Sequence, residues 1–597
     1  ELLSSTKGFQ YGSKHNFLNE YTMKKYIFYL IAFLAISCED VLDKKNLGAI
    51  DDSYVWSDPN MIELNVNSFY ANWMPAGLFK QSALIQNGII SDEARSGYNG
   101  RAVNIINGVR FGADRTDVPF QNWYYGGIRK ANEFLQNIEE RYILPANATQ
   151  AQKEQRDRFI GEVRFYRAHL YWEMIKVYGG VPIITKVIDK DETDESLLYP
   201  KRNTTDESFT FIIKELKEAA DLLPVTYSGD NWGRITKGAA LAYCARIQLY
   251  RASPMFNPSN EKKYWEDAYD TYKDVIGLDV YDLHPTFSDI WKEKGENNKE
   301  IIWFKDYKKG TITHGWDAGN MMRSQAVGDA TANCPVQELV DAFPMKDGTP
   351  YVKSNPETNP YDYRDPRLRE TVVWNGDTYG PRKEKVYTFV SESTDPNSPM
   401  YNFDGIDSHQ SATSTGYYMR KMKDESLDGK KGDYGYGKGS YTQWVELRYA
   451  EVLLGLAEAA NEIGETEEGV EQIKLIRKRA GILPGENKRY GIPENISVDD
   501  FRTLVQNERY IELAFEDKRY WDLRRWKLAH LKLNNQLTAM EIRKKINGEE
   551  ISYTYTRRVQ RHDKTNKPVF LEKFYFLPLP KEELLRNPNL EQNEEWK

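Results

Sequence analysis

Apolar residues recur at spacings of three and four along much of this chain. The first unbroken run predicts a helix from about Arg156 to Tyr178, with Phe159, Val163, Tyr166, Leu170, Met174 and Val177 on one face. Gly179-Gly180 followed by Pro182 ends it. Thr204-Thr205-Asp206-Glu207 has the form of a capping box before a second helix, whose buried face is Phe209, Ile213, Leu216, Ala220 and Leu223. Thr236 caps a third, with Ala240, Tyr243, Ile247 and Tyr250 inward and Pro254 beyond it. The second and third helices start about 32 residues apart, close to the tetratricopeptide period, and Ala239, Ala242 and Ala245 allow close approach of neighbours. Trp265, Ala268, Tyr269 and Tyr272 open a further helix. Late stripes follow at Leu447-Ala450-Leu454-Ala457, at Ile473-Ile476-Ala480 and at Leu504-Tyr510-Ile511-Phe515.

Between about Gly310 and Gln443 the helical period is lost, and Gly, Pro, Asn, Asp, Ser and Tyr dominate. That composition predicts loops, turns and short strands. The expected fold is mostly α, with tetratricopeptide-like helix pairs packed against an irregular loop-rich region. The expected organisation is a helical region over 54–309, a loop-rich ligand-binding region over 310–443 and a C-terminal region over 444–597. Loops carried on a rigid scaffold are where binding residues concentrate.

The N-terminal part carries a different signal. Met23-Lys24-Lys25, the apolar run Tyr26 to Ile36 and Ser37-Cys38 have the basic, apolar and small-residue succession of a secretory signal peptide. The run is too short to cross a membrane, which takes about 20 apolar residues. Leu34-Ala35-Ile36-Ser37 resembles a bacterial lipobox, so residues 23–37 are read as a lipoprotein signal and Cys38 as the lipid attachment point. Residues 38–53 are then a tether, and 1–22 an upstream extension from a start assigned too early.

Composition narrows the function. A formal net charge of −8 over 597 residues lacks the basic footprint of a nucleic-acid partner. After Cys38 only Cys244 and Cys334 remain, which is no disulfide framework; one bridge between them is open to the sequence, and two free buried thiols are the preferred reading. The seven histidines show no ligand spacing, and no cofactor is expected. Calcium in an acidic loop stays open. Gly432 to Gly439 nearly matches a phosphate-binding loop, but Gly439 stands where Ser or Thr would hold magnesium, and a flexible loop is the better reading.

Several segments together resemble the SusD/RagB family of outer-membrane nutrient-binding lipoproteins. They are Cys38-Glu39-Asp40-Val41-Leu42-Asp43, Ser91-Asp92-Glu93-Ala94, Trp123 to Leu135, Arg164-Phe165-Tyr166-Arg167-Ala168 and Tyr178-Gly179-Gly180-Val181-Pro182. The resemblance continues through Gln337 to Phe343, Arg364-Asp365-Pro366-Arg367-Leu368, Arg448-Tyr449-Ala450-Glu451-Val452, Glu508 to Leu513, Leu577-Pro578-Leu579-Pro580 and Asn587 to Asn593. It implies tetratricopeptide-like pairs, a place on the outer membrane facing the exterior, and a SusC-like TonB-dependent transporter as partner. The implied activity is capture of oligosaccharide or polysaccharide without catalysis, with peptide as the alternative ligand. Arg164, Arg167, Arg448 and Glu451 are read as interhelical ion pairs, Tyr178-Gly179-Gly180 as a helix stop and Arg364 to Arg367 as a turn.

A sugar offers an apolar face and a rim of hydroxyls, so its site needs an exposed aromatic plane beside planar hydrogen-bonding groups. Two loops have that chemistry. Arg95 to Arg101 supplies Tyr98, Asn99 and Arg101; Tyr307 to Asn320 supplies Tyr307 and Trp316, whose small and polar neighbours predict an uncovered indole. Trp374 and Tyr379 stand behind them, whereas Trp123, Trp172 and Trp265 are assigned to the core. A surface glycoside hydrolase is the enzymatic rival, since it needs two carboxyls about 5–9.5 Å apart. The 89 acidic residues are read as lying mostly on solvated helix faces, which disfavours it.

Overall fold

The computed structural model describes residues 52–80, 87–97, 105–108, 111–114, 120–189, 191–325, 331–354, 359–409, 411–435 and 437–597. The chain forms two compact units, 1–62 and 63–597. In the first, the described residues form the short helix Asp52–Val55 and the start of α1, Pro59–Trp73.

The second unit is built on long helices: α2 Tyr125–Arg141, α3 Gln150–Tyr178, α4 Thr205–Leu222, α5 Lys237–Ala252, α6 Lys262–Gly277, α7 Tyr449–Ile463, α8 Thr466–Ala480 and α9 Val498–Glu512. Their ends follow local chemistry. Thr149 caps α3 and Thr204 caps α4, each in a reciprocal capping box, and Thr236 caps α5 by accepting from Ala239 N at 3.0 Å. Gly179, at φ 78°, ends α3 in a conformation that a side chain would strain.

Successive helices pack as neighbours, α2 on α3, α3 on α4, α4 on α5 and α5 on α6. The next partner of α6 is α7, some 170 residues later, and α7 in turn packs on α8 and α9. The repeat array is therefore one stack interrupted by one long insert. Two strands close the insert: β1, Ile301–Lys305, pairs antiparallel with β2, Trp444–Arg448, which leads directly into α7. Leu447 accordingly belongs to a strand rather than to the helical stripe expected of it.

Within the insert the structure is irregular, with two-residue strands such as Val372–Val373 on Tyr418–Met419. The helical fold with a loop-rich region is as the sequence predicts. One element is not: β3, Thr538–Asn547, and β4, Glu550–Val559, form a ten-residue hairpin. Gly548, at φ 62°, opens its two-residue loop, where hairpin turns require a positive φ.

Buried charge joins insert to helices. Arg448 donates to Glu300 and Glu512 at 2.7 Å and to Glu516 at 2.8 Å. Arg367 pairs with Asp365 and Glu508 at 2.7 Å and with Glu512 at 2.8 Å. Lys421 pairs with Glu516 at 2.7 Å. Arg164 and Arg167 bridge α3 to Glu215 of α4, and Arg246 of α5 binds Glu451 of α7 at 2.6 Å. Arg164, Arg167 and Glu451 thus form the interhelical pairs read from the sequence, whereas Arg448 ends strand β2 and joins that strand to α9. The Arg364 to Arg367 segment differs, since Asp365 caps a short helix, Pro366–Thr371. Several acids expected on solvated faces, Glu300, Glu508 and Glu512 among them, are fully buried. Cys244 and Cys334 are free and buried.

Candidate functional site

The Ser91 to Ala94 motif is an anchor. Ser91 Oγ accepts from Glu93 N at 3.1 Å, and Asp92 receives both arms of Arg519 at 2.7 and 2.8 Å. The Glu93 carboxyl accepts from Phe515 N at 2.9 Å, and burial pushes its pKa up to about 8. Arg95 is bidentate to Asp563, at 2.7 and 3.1 Å, and its remaining donors reach three backbone carbonyls. Ala94–Arg95 then pairs with Cys334–Pro335.

This stem ends at Gly97, where three segments meet. Gly97 N donates to Thr331 O at 2.9 Å, Ser414 Oγ donates to Ser96 O at 3.0 Å and Arg561 donates to Gly97 O. A β-carbon on Gly97 would collide with the Thr331 hydroxyl and sit 2.6 Å from Ala412 O, so the junction admits only glycine. Thr331 is itself held at φ 80°, with its hydroxyl donating to Ser411 O.

The described rim of this junction carries binding chemistry. Phe403 is 40% exposed, and its ring lies 4.9 Å from that of His409 at 32°. Burial, then Arg323 and Arg561, lower the pKa of His409, which keeps the imidazole neutral and places both guanidinium groups within electrostatic reach. Asp407, at φ 57°, binds Arg558 and, at 3.0 Å, Arg561. Asp404 accepts from Ser324 N at 3.1 Å, and burial raises its pKa. An apolar ring pair flanked by planar donors and a carboxylate suits a ligand with an apolar face and a hydroxyl rim.

The residues named from the sequence divide. Tyr98, Asn99, Arg101 and the lipid-attachment candidate Cys38 lie outside the described residues. Tyr307 and Trp316 are 6% and 2% exposed, so the expected uncovered indole is not found. Phe79 explains why: it stacks on His314 at 4.0 Å and packs 5.1 Å from the Trp316 ring, while Trp316 Nε1 donates to Lys421 O at 3.3 Å. A small-residue loop thus covers its indole with a ring supplied more than 230 positions away from where it began to look open. Trp374 is half-buried and stacked on Tyr361 at 5.0 Å, and Tyr379 is buried beneath Lys423. Trp172 and Trp265 are core as expected; Trp123 is half-buried against Tyr125 and Tyr178. Gly432 to Gly439 contains a tight turn, with Gly435 and Lys438 exchanging backbone hydrogen bonds. Phe403, His409 and Arg561 were missed. The first two lie in the stretch read as loop-rich and binding, but nothing local distinguishes them.

A helical-repeat scaffold presenting an irregular face through an anchored loop stem is the architecture of a ligand-binding module. The family model described as "SusD family" matches residues 299–596, and the model described as "Starch-binding associating with outer membrane" matches residues 52–249. The chain belongs to the SusD/RagB family. It is 25% identical over 586 residues to SusD-like protein P2 of Formosa agariphila, covering 96% of this chain and 99% of that one. Among solved structures it is similar to a SusD-like protein from Bacteroides fragilis, with TM-score 0.70, 27% identity and coverage of 91% and 98%. A SusD-like carbohydrate binding protein from the same species has TM-score 0.69, 23% identity and coverage of 90% and 99%, a likeness of fold.

Proposed function

We propose that this protein captures oligosaccharide or polysaccharide at the cell surface and delivers it to a SusC-like TonB-dependent transporter in the outer membrane. The observation that carries this reading is the rim at Gly97, where the exposed Phe403 ring, set against the half-buried His409, stands among Arg323, Asp407 and Arg561 on a hydrogen-bonded junction. Tyr98, Asn99 and Arg101, which follow Gly97 in sequence, supply further chemistry of the same kind. Binding without bond cleavage is the activity proposed, with the lipid on Cys38 holding the protein on the outer membrane, facing the exterior. The family matches and the glycan-binding relatives support the ligand class.

The test is retardation of the protein in gels containing soluble polysaccharides, followed by calorimetry with oligosaccharides of the one that retards. Phe403→Ala and Tyr98→Ala are expected to weaken binding about tenfold, the equivalent of about 1.4 kcal/mol. Unchanged affinity in both would remove the rim from the site. Saturable release of reducing ends would replace capture by hydrolysis, and binding of peptides alone would replace the ligand class. Cys38→Ala is expected to leave binding in solution intact and to impair uptake by cells.

A further inference from the structure

A cavity of about 590 Å³ opens between the C-terminal end of α1, the start of α2, α3, α5 and β2, and it shares no lining residue with the rim at Gly97. Its size falls within the range of about 300–1,000 Å³ usual for small-molecule sites. Its walls combine two kinds of surface. Trp73, Tyr124, Trp172 and Trp521 supply aromatic area, with Trp73 and Tyr124 only half-buried. Between them stand charged groups that are already matched: Lys176 binds Glu173 at 2.6 Å and lies 4.4 Å over the Trp521 ring, while Glu446 receives Arg246 at 2.7 Å and Lys518 at 2.9 Å.

This matching decides the kind of ligand. Three acidic and three basic side chains line the cavity, so it offers an ion no excess of counter-charge. His169, whose Nδ1 lies 2.8 Å from Tyr243 OH, is kept neutral because burial lowers its pKa. A purely apolar guest would meet this ring of fixed charges and lose more hydration than it regains. A neutral polyhydroxylated guest satisfies both surfaces: its C–H face packs on the half-buried Trp73 and Tyr124 rings, with Trp172 and Trp521 buried behind them, and its hydroxyls donate to carboxylates and accept from ammonium and guanidinium groups that stay paired.

We propose that this cavity is a second carbohydrate site, separate from the loop rim, that takes one or two neutral pyranose units. Two sites on one body would hold a long glycan at two places, or hold one chain end while the rim holds another. Such a chain gains avidity from the second contact without any change at the first.

The experiment uses the full chain labelled with 5-fluorotryptophan, its Trp73 and Trp521 resonances assigned by single Trp→Phe substitutions. Maltose, cellobiose, laminaribiose, xylobiose, mannobiose and galactobiose are the probes. At least one is expected to shift the Trp73 and Trp521 resonances saturably. The shift should persist in Phe403→Ala and be weakened at least tenfold in the Glu173→Gln, Lys176→Met double variant. The remaining tryptophan resonances report whether that variant is folded, and soaking wild-type crystals with the responding sugar gives the same answer without substitution. No shift of either resonance with any of the six sugars overturns the proposal, whatever the outcome of the gel assay at the rim. A shift abolished by Phe403→Ala but kept in the double variant also overturns it, since all binding would then belong to the rim.

Discussion

Replacing Glu512 by glutamine probes the buried charge that ties the insert to the repeat array. Glu512 accepts from Arg448 at 2.7 Å, from Arg367 at 2.8 Å and from Arg479, and none of these side chains is more than 4% exposed. Glutamine keeps the shape, withdraws the negative charge that three guanidinium groups share, and turns a donor toward at least one of them. Removing one partner of a buried pair costs about 3–5 kcal/mol, since the other charge stays buried without compensation. With an unfolding entropy of about 2.1 cal/mol/K per residue, a body of roughly 500 residues carries about 1 kcal/mol/K, so the melting temperature should fall by about 3–5 °C.

The same contacts fix how this difference varies with pH. Burial opposes ionisation of Glu512, but Arg479, Arg448 and Arg367 outweigh it and hold the carboxyl well below the usual carboxylate range. The folded value lies below the unfolded value of about 4.3, so the stabilisation is complete above that pH and is lost as the pH falls. The gap between wild type and Glu512→Gln should therefore shrink in acid, by about 1 kcal/mol at pH 3.5. Scanning calorimetry at pH 7.5 and stepwise down to pH 3.5 measures both effects. A fall of less than 1 °C at pH 7.5, or a gap that does not narrow in acid, would refute the reasoning.

Three further outcomes are expected. Trp316→Ala should lower stability by about 3–5 kcal/mol, as for a large core truncation, with any loss of glycan binding tracking the unfolded fraction in a melt. Glu93→Gln should gain on the wild type as the pH rises from about 4.3 toward 8: burial raises the folded pKa to about 8, so the wild type loses stability over that window while the amide does not. Denaturant midpoints at pH 5 and 8.5 check this. Gly97→Ala should destabilise the loop junction, because its β-carbon has no room beside Ala412 O, and should weaken polysaccharide retention more than it lowers the melting temperature.

Much of the scaffold was legible because caps and periodicity are local. Thr204 with Glu207, Thr236, and Gly179 each act within a few residues of themselves, and the structure uses them as the sequence suggests. The hairpin Thr538–Val559 also carries a local signal, Gly548 between two strand-forming segments, weaker than the helical caps. The site was not legible for a different reason. Whether Trp316 is uncovered depends on Phe79, and whether Phe403 is exposed depends on its tertiary surroundings. Exposure of an aromatic is a property of distant partners, and no local pattern encodes it. The motif arginines fared better, since a charged residue on an apolar helix face requires a partner.

The interruption between α6 and α7 also bears on how such a protein can change. Because the two helices touch each other, the array is continuous past the intervening chain, and β1 with β2 hold the points where that chain leaves and returns. Arg367 and Lys421 rivet the insert to Glu508, Glu512 and Glu516. Between those rivets in sequence lie residues 398–409, which carry Phe403, Asp407 and His409. If the rim is the binding site proposed above, ligand preference can drift, or be grafted from a relative, through a cassette bounded by the rivets, while the helices that carry it keep their sequence.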